Sequence, residues 1–197
     1  MSVEKDYLQR LSHRQSSESS KIWNLLDQVC DPEIPVLSLW ELGVLQHVEQ
    51  GNQGITVVIT PTYCGCPALE VMKSDILNLL SENGYHDVTV QTSVSPAWSS
   101  QWLSPDGREK LRKYGIAPPH DEKRCRSTSR FSDPRHRSVF PQISFTETSS
   151  QISQAVIPCP QCNSEDTIEL SEFGSTACKA LYKCQNCLEP FDYFKPI

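Results

Sequence analysis

Nine cysteines in 197 residues are where chemistry can begin in this chain. Four of them form two C-x-x-C pairs, Cys159 and Cys162 in "CPQC" and Cys184 and Cys187 in "CQNC", with 21 residues between the pairs. Two such pairs supply four thiolates for a tetrahedron, the arrangement structural zinc prefers. Rubredoxin-like iron or an iron–sulfur cluster uses the same donor set. A second thiol pair, Cys64 and Cys66 in "PTYCGCP", sits where a helical pattern begins. With Pro67 suited to the first helical position, Cys66 falls at the N-cap. Unpaired N–H groups and the partial positive charge of a helix start favour thiolate, so the Cys66 pKa is predicted to fall. A low-pKa cysteine is a nucleophile or a metal ligand. Cys64 can turn to the same spot as a second soft ligand or a redox partner, or Cys66 caps the helix and Cys64 only packs. C-x-C is a weak motif beside C-x-x-C pairs, and a C-x-C disulfide closes a small, strained ring.

Two carboxylates, Asp31 and Glu33, lie on the proline-stiffened loop "DPEIP". They cap a turn unless the fold carries them to Cys66. Cys30 reads as packing, Cys178 as a small buried hydrophobe with an extra metal ligand as the alternative. Cys125 lies in a linker.

The elements that must position these residues follow from periodicity. Ile22, Leu25, Leu26 and Val29 mark one stripe of a first helix behind a serine cap. Leu39, Leu42 and Val44 anchor the turn that follows. "VLQHVEQ" and "GITVVIT" read as strands joined at "QGNQG". Residues 67–83 read as a helix whose inward face is Leu69, Met72, Ile76, Leu79 and Leu80, closed by Gly84 in a left-handed conformation. "DVTVQTSV" is a third strand. Ser104 caps a last helix with Pro105 at its first position, and Trp98, Trp102 and Leu103 belong to the core or to an interface patch, the core being favoured because large aromatics contribute mostly through burial. This order predicts an α+β unit with helices on a three-stranded sheet over residues 20–119, behind a flexible leader over 1–19. Residues 120–157, rich in Ser, Thr, Arg and His without a sustained period, read as a disordered linker. Residues 158–197 form a small β-rich zinc ribbon: "TIEL" and "ALYK" flank a Gly-Ser turn and hold the two knuckles together. About 40 residues build too little apolar core to fold alone, so the metal supplies folding free energy.

Composition narrows the class. The net charge is −6, and both cysteine-bearing segments are acidic, which disfavours a nucleic-acid partner. No apolar run approaches a membrane span, and the polar N-terminus lacks a secretion signal. A cytoplasmic protein with metal or reactive thiols, rather than disulfides, is expected.

"DPEIPVLSLWELGVLQHV", "ITPTYCGCPALE", "SPAWSSQWLSPDGREKLRKYGIAPP" and "SEFGSTACKALYKCQNCLEPFDYFK" resemble the PaaD (PaaJ) family, over residues 20–119 and 158–197. Residues 20–119 also resemble, more broadly, the SufT-like domain of iron–sulfur assembly factors. The resemblance implies a part in aerobic phenylacetate breakdown beside the multicomponent monooxygenase that epoxidises phenylacetyl-CoA. The partners it implies are the subunits of that complex, a di-iron oxygenase and an iron–sulfur reductase. Its implied role is maturation, loading iron or an iron–sulfur cofactor. The family's reactive cysteine falls on Cys66, its "DPE-x-P" loop on Asp31 to Pro35, and its zinc ligands on Cys159, Cys162, Cys184 and Cys187. Where Cys64 stands the family is expected to have serine, which weakens the C-x-C reading. A stable, non-catalytic subunit that only docks partners is the alternative function. The chain itself carries no Glu-x-x-His pair of di-iron type and no Gly-rich dinucleotide fingerprint.

Overall fold

The computed structural model describes residues 3–52, 54–120 and 156–196. Helix α2 (Ser20–Leu26) buries Ile22, Trp23 and Leu26. Trp23 lies outside the predicted stripe, and it is buried because its indole meets Trp40 edge-on at 5.4 Å. Strands β1 (Leu45–Gly51) and β2 (Gly54–Ile59) pair antiparallel, with Gly51 opposite Gly54. Gly54 has φ +111°, and a Cβ there would collide with the Asp87 carbonyl, so the turn requires glycine. Helix α3 (Leu69–Glu82) follows, and then β3 (Val88–Thr92) runs parallel to β2. The β2–α3–β3 crossover is what parallel pairing demands. The sheet order β1-β2-β3 gives the three strands the sequence predicts.

Helix α4 (Pro105–Tyr114) has Ser104 as its N-cap, the hydroxyl accepting from Gly107 N–H at 2.9 Å, with Gly115 at φ +93° closing it. Leu39, Leu42, Val44, Trp98 and Leu103 are buried in the core between sheet and helices.

Residues 1–19 depart from the predicted leader: Val3–Ser16 forms helix α1. Its polar composition hides it: Tyr7 and Leu11 pack partly buried against the core, and a cation anchors the helix beside them. The buried Arg10 guanidinium donates to the carbonyls of Trp40 (3.3 Å), Leu45 (2.8 Å) and Trp102, and it stacks 4.3 Å from the Trp40 ring centre. The Arg14 fork closes on Asp27 at 2.6 and 2.8 Å.

The C-terminal sheet contains β4 (Ile116–Ala117), β5 (Thr167–Ser171), β6 (Lys179–Cys184) and β7 (Pro190–Phe194) in the order β4-β7-β6-β5. Strand β4 belongs to the segment before the linker and pairs parallel with β7, so the two units share a sheet. Phe194, 1% exposed, stays paired at the end of β7 but packs its ring in the first core, 5.8 Å from Trp98. Cys125 and residues 121–155 of the expected linker lie outside the described residues. Among the described residues, no helix is long and apolar enough to cross a membrane.

Candidate metal centre and thiol cleft

The four C-x-x-C sulfurs converge. All lie within 4.8 Å of one another, with Cys159 to Cys187 at 3.7 Å and Cys162 to Cys184 at 3.5 Å. Four sulfurs about 2.3 Å from one ion stand about 3.8 Å apart by tetrahedral geometry, so this set fits a single zinc. The two knuckles are built alike. Each places the residue just after its second cysteine in a left-handed turn: Asn163 at φ +59° and Leu188 at φ +66°. These turns aim amide hydrogens at sulfur. Cys187 N–H donates to Cys184 Sγ at 3.4 Å, and Ser164 N–H donates to Cys162, pulling that thiol down to about 6. Cys159 and Cys184 are buried while Cys162 and Cys187 face solvent. The cluster around them is thin: Ala117, Ile157, Ala180, Phe191 and Tyr193 join the two buried cysteines.

The second site lies at the carboxyl end of β2. Past β2, the chain runs through Thr60, whose N–H donates to Val44 O at 2.8 Å, into the loop that carries Cys66. Helix α3 starts at Leu69, two residues later than predicted; Cys66 to Ala68 form a turn, with Cys66 O accepting from Leu69 N–H at 3.3 Å. Cys66 is therefore not the N-cap, and its pKa runs opposite to the expectation. Burial pushes the thiol up, outweighing the Ala68 amide that donates to it, and the neighbouring Asp31, Cys178 and Glu33 push it further the same way.

Asp31 and Glu33 do reach Cys66: all three line one cleft. Asp31, 6% exposed, accepts the N–H groups of Glu33 and Ile34 on Oδ1, each at 2.8 Å, so the proline-flanked loop is wound around its carboxylate. Burial raises the Asp31 pKa, and those two amides oppose the rise. Cys64 is exposed and lies outside the cleft lining. Cys30 lies elsewhere, its backbone bridged to Ser38.

Sequence reasoning missed the far wall of the cleft. Thr176 and Cys178, on the loop between β5 and β6, line it together with Cys66 and Phe194. The Thr176 hydroxyl and the Cys178 sulfur are 3.1 Å apart. Burial raises the Cys178 pKa as well. The fifth cysteine in the C-terminal segment was the available signal, but only the docking of the ribbon gives it a neighbour.

Fold and sites together define a class: an α+β unit carrying a cysteine cleft, joined to a four-cysteine β ribbon. A family model described as "Iron-sulfur cluster assembly protein" matches residues 19–91, and one described as "PaaD zinc beta ribbon domain" matches residues 145–195. Over 190 residues the chain is 42% identical to a protein of Escherichia coli (strain K12) named as a putative subunit of 1,2-phenylacetyl-CoA epoxidase, covering 96% of this chain and 100% of that one. The chain belongs to this PaaD family. Among solved structures it is similar to a domain of unknown function, DUF59, from Bacillus anthracis (24% identity, 53% of this chain and 95% of that one, TM-score 0.44). It is also similar to a conserved hypothetical protein from Thermotoga maritima (27% identity, 47% and 92%, TM-score 0.41).

Proposed function

We propose that this protein is an accessory maturation factor for a phenylacetyl-CoA epoxidase-type oxygenase, taking up iron or an iron–sulfur cofactor at Cys66 and passing it to a client subunit. The observation that carries this reading is the convergence of Cys66, Asp31 and Glu33 in one cleft, from loops about 30 residues apart in the sequence. The match to an iron–sulfur assembly family model over residues 19–91 and the name of the Escherichia coli relative support the cargo and the client class. A cargo site must bind and release. A partly buried thiol beside carboxylates, closed by one loop, suits exchange better than a sealed tetrahedron does.

Cys159, Cys162, Cys184 and Cys187 hold a structural zinc in this reading. The ion fastens two knuckles whose shared apolar cluster is too small to fold unaided. What these residues do is geometric: two buried and two exposed sulfurs pin β6 and the β6–β7 turn to the segment that enters the ribbon, and that fixes β7 against β4. The ribbon then serves as the docking face for a client.

The test is anaerobic purification of wild type and Cys66→Ser, with zinc, iron and acid-labile sulfide quantified, and oxygenase activity assayed in cells expressing each. One zinc in both proteins, iron or sulfide in wild type alone, and loss of oxygenase activity with Cys66→Ser are expected. Full oxygenase maturation by Cys66→Ser would overturn the reading and leave a docking subunit without thiol chemistry.

A further inference from the structure

A larger cavity, which shares no residue with the Cys66 cleft, lies where the ribbon meets α1 and α4. Its volume is about 390 Å³, within the roughly 300–1,000 Å³ of small-molecule sites. The Cys66 cleft, by contrast, holds about 20 Å³. Helix α4 gives the larger cavity Arg108 and Arg112, the chain leaving β4 gives it His120, and the first ribbon knuckle gives it Cys159 and Asn163. None of the side chains lining it is acidic, although the chain as a whole carries a net charge of −6.

The cations of α4 divide by face. Away from the cavity, Lys110 meets Glu41 at 2.6 Å and Lys113 meets Glu109 at 3.7 Å. Arg108 and Arg112, spaced i, i+4, both line the cavity. The Arg108 guanidinium donates to the carbonyls of Pro119 at 2.6 Å and Ser100 at 2.7 Å, which fixes its plane. The Arg112 guanidinium is exposed and meets no acceptor among the described residues. Like charges at this spacing destabilise a helix, and an anion set between them offsets that repulsion. The rest of the wall decides what kind of anion. Pro105, Pro118, Pro119 and Pro158 line it. Proline has no backbone N–H, so these four offer no amide to a charged group and a stiff surface to an apolar one. Tyr7 and Leu103 extend that surface. Recognition of charge falls to the side chains, and a guanidinium fork matches the paired oxygens of a carboxylate or a phosphate.

We propose that this cavity binds a small organic anion, a carboxylate or phosphate group on an apolar body. Arg108 and Arg112 hold the charged group, and the prolines, Tyr7 and Leu103 hold the body. The ligand touches both units at once, because α4 forms one side of the cavity and the Cys159 knuckle another. The site is independent of the reading of Cys66 and stands or falls without it.

The experiment is a calorimetric titration of the full-length, zinc-loaded protein at low ionic strength with benzoate, phenyl phosphate, inorganic phosphate and benzyl alcohol. One site is expected for benzoate or phenyl phosphate, and the tighter of the two names the charged group. That compound should bind about tenfold or more tightly than inorganic phosphate or benzyl alcohol, since each of those lacks one half of the ligand. Arg112→Gln, a change at an exposed position, should weaken binding about fivefold or more. Lys113→Gln removes the neighbouring charge outside the cavity and should leave binding unchanged. Equal losses in the two variants overturn the proposal, because overall charge then explains them. Inorganic phosphate bound as tightly as phenyl phosphate overturns it too, since the apolar wall then recognises nothing. No binding of either benzoate or phenyl phosphate overturns it outright. Amide resonances of the zinc-loaded protein give the second measurement: shifts on ligand addition at both Arg112 and Asn163 are expected, and shifts confined to α4 overturn a site shared by the two units.

Discussion

The ribbon centre and the Cys66 cleft both contain cysteine, and they differ in how their side chains are brought together. The ribbon's four sulfurs come from two short knuckles that repeat one backbone device, an amide-rich turn closed by a left-handed residue. The cleft draws Asp31, Cys66, Cys178 and Phe194 from four separate segments. A site made of local turns forms when its ion arrives. A site made of distant segments exists only while the whole tertiary structure stands, and it can be opened by moving one of them.

Stripping the zinc should give the largest effect. Structural zinc couples on the order of 10 kcal/mol or more of binding free energy to folding in small metal-dependent modules. A strong chelator is therefore expected to unfold the ribbon, draw Phe194 out of the first core, and red-shift the fluorescence of Trp98 against which it packs. Far-ultraviolet circular dichroism should retain the helices of the first unit. Loss of all helix signal would mean that the two regions are one cooperative unit and would break the comparison.

Phe194→Ala should come next. Truncating a fully buried aromatic costs about 3–5 kcal/mol, and urea unfolding of the zinc-loaded chain measures it. Zinc should remain at the ribbon, because Phe194 packs in the first core and not in the cluster around the ribbon's buried cysteines, while the cleft loses one wall. A variant that sheds zinc as well would show that the two sites are not separable.

Leu188→Gly is expected to stabilise. Leu188 pays for a left-handed backbone, φ +66°, with little burial in return, since it is 62% exposed. Relieving that strain contributes about 1 kcal/mol, which is about fivefold in zinc affinity by competition titration. The cleft's reactivity should not change.

The smallest effect lies in proton competition. The folded pKa values of Cys66 and Cys178 are raised by burial above the ordinary thiol value of 9.0. Less thiolate is then present at any given pH than on an exposed thiol. Iodoacetamide should alkylate both more slowly than glutathione at about pH 7.5, with rates still climbing above about pH 9. Alkylation of Cys66 that levels off below about pH 8 would restore the low-pKa thiol expected of a helix N-cap.

That expectation failed for a local reason. Pro67 does favour a helix start, but the chain makes a separate turn from Cys66 to Ala68 before α3 begins, so Cys66 receives one amide instead of the end of a helix. Burial, which periodicity at one position does not reveal, then outweighs that amide. Helix α1 was illegible for a related reason: its anchor is Arg10 on the carbonyls of Trp40, Leu45 and Trp102, and no sequence pattern marks a buried guanidinium. Ser104 with Pro105, Gly84 and the strand pattern around Gly54 were legible because caps and turns are decided by neighbouring residues.

By itself the sequence determined what depends on short range: the strand and helix periods, the caps, and four cysteines at a spacing that two metal knuckles dictate. Tertiary structure alone decided which side chains share a cleft. It brought "DPEIP" to Cys66, and it turned Cys178 from one more small buried residue into a second thiol lining the same cleft. The physical reason is that a cleft lined by segments more than a hundred residues apart is fixed by how β4, β7 and Phe194 dock the ribbon. No period or spacing along the chain encodes that docking.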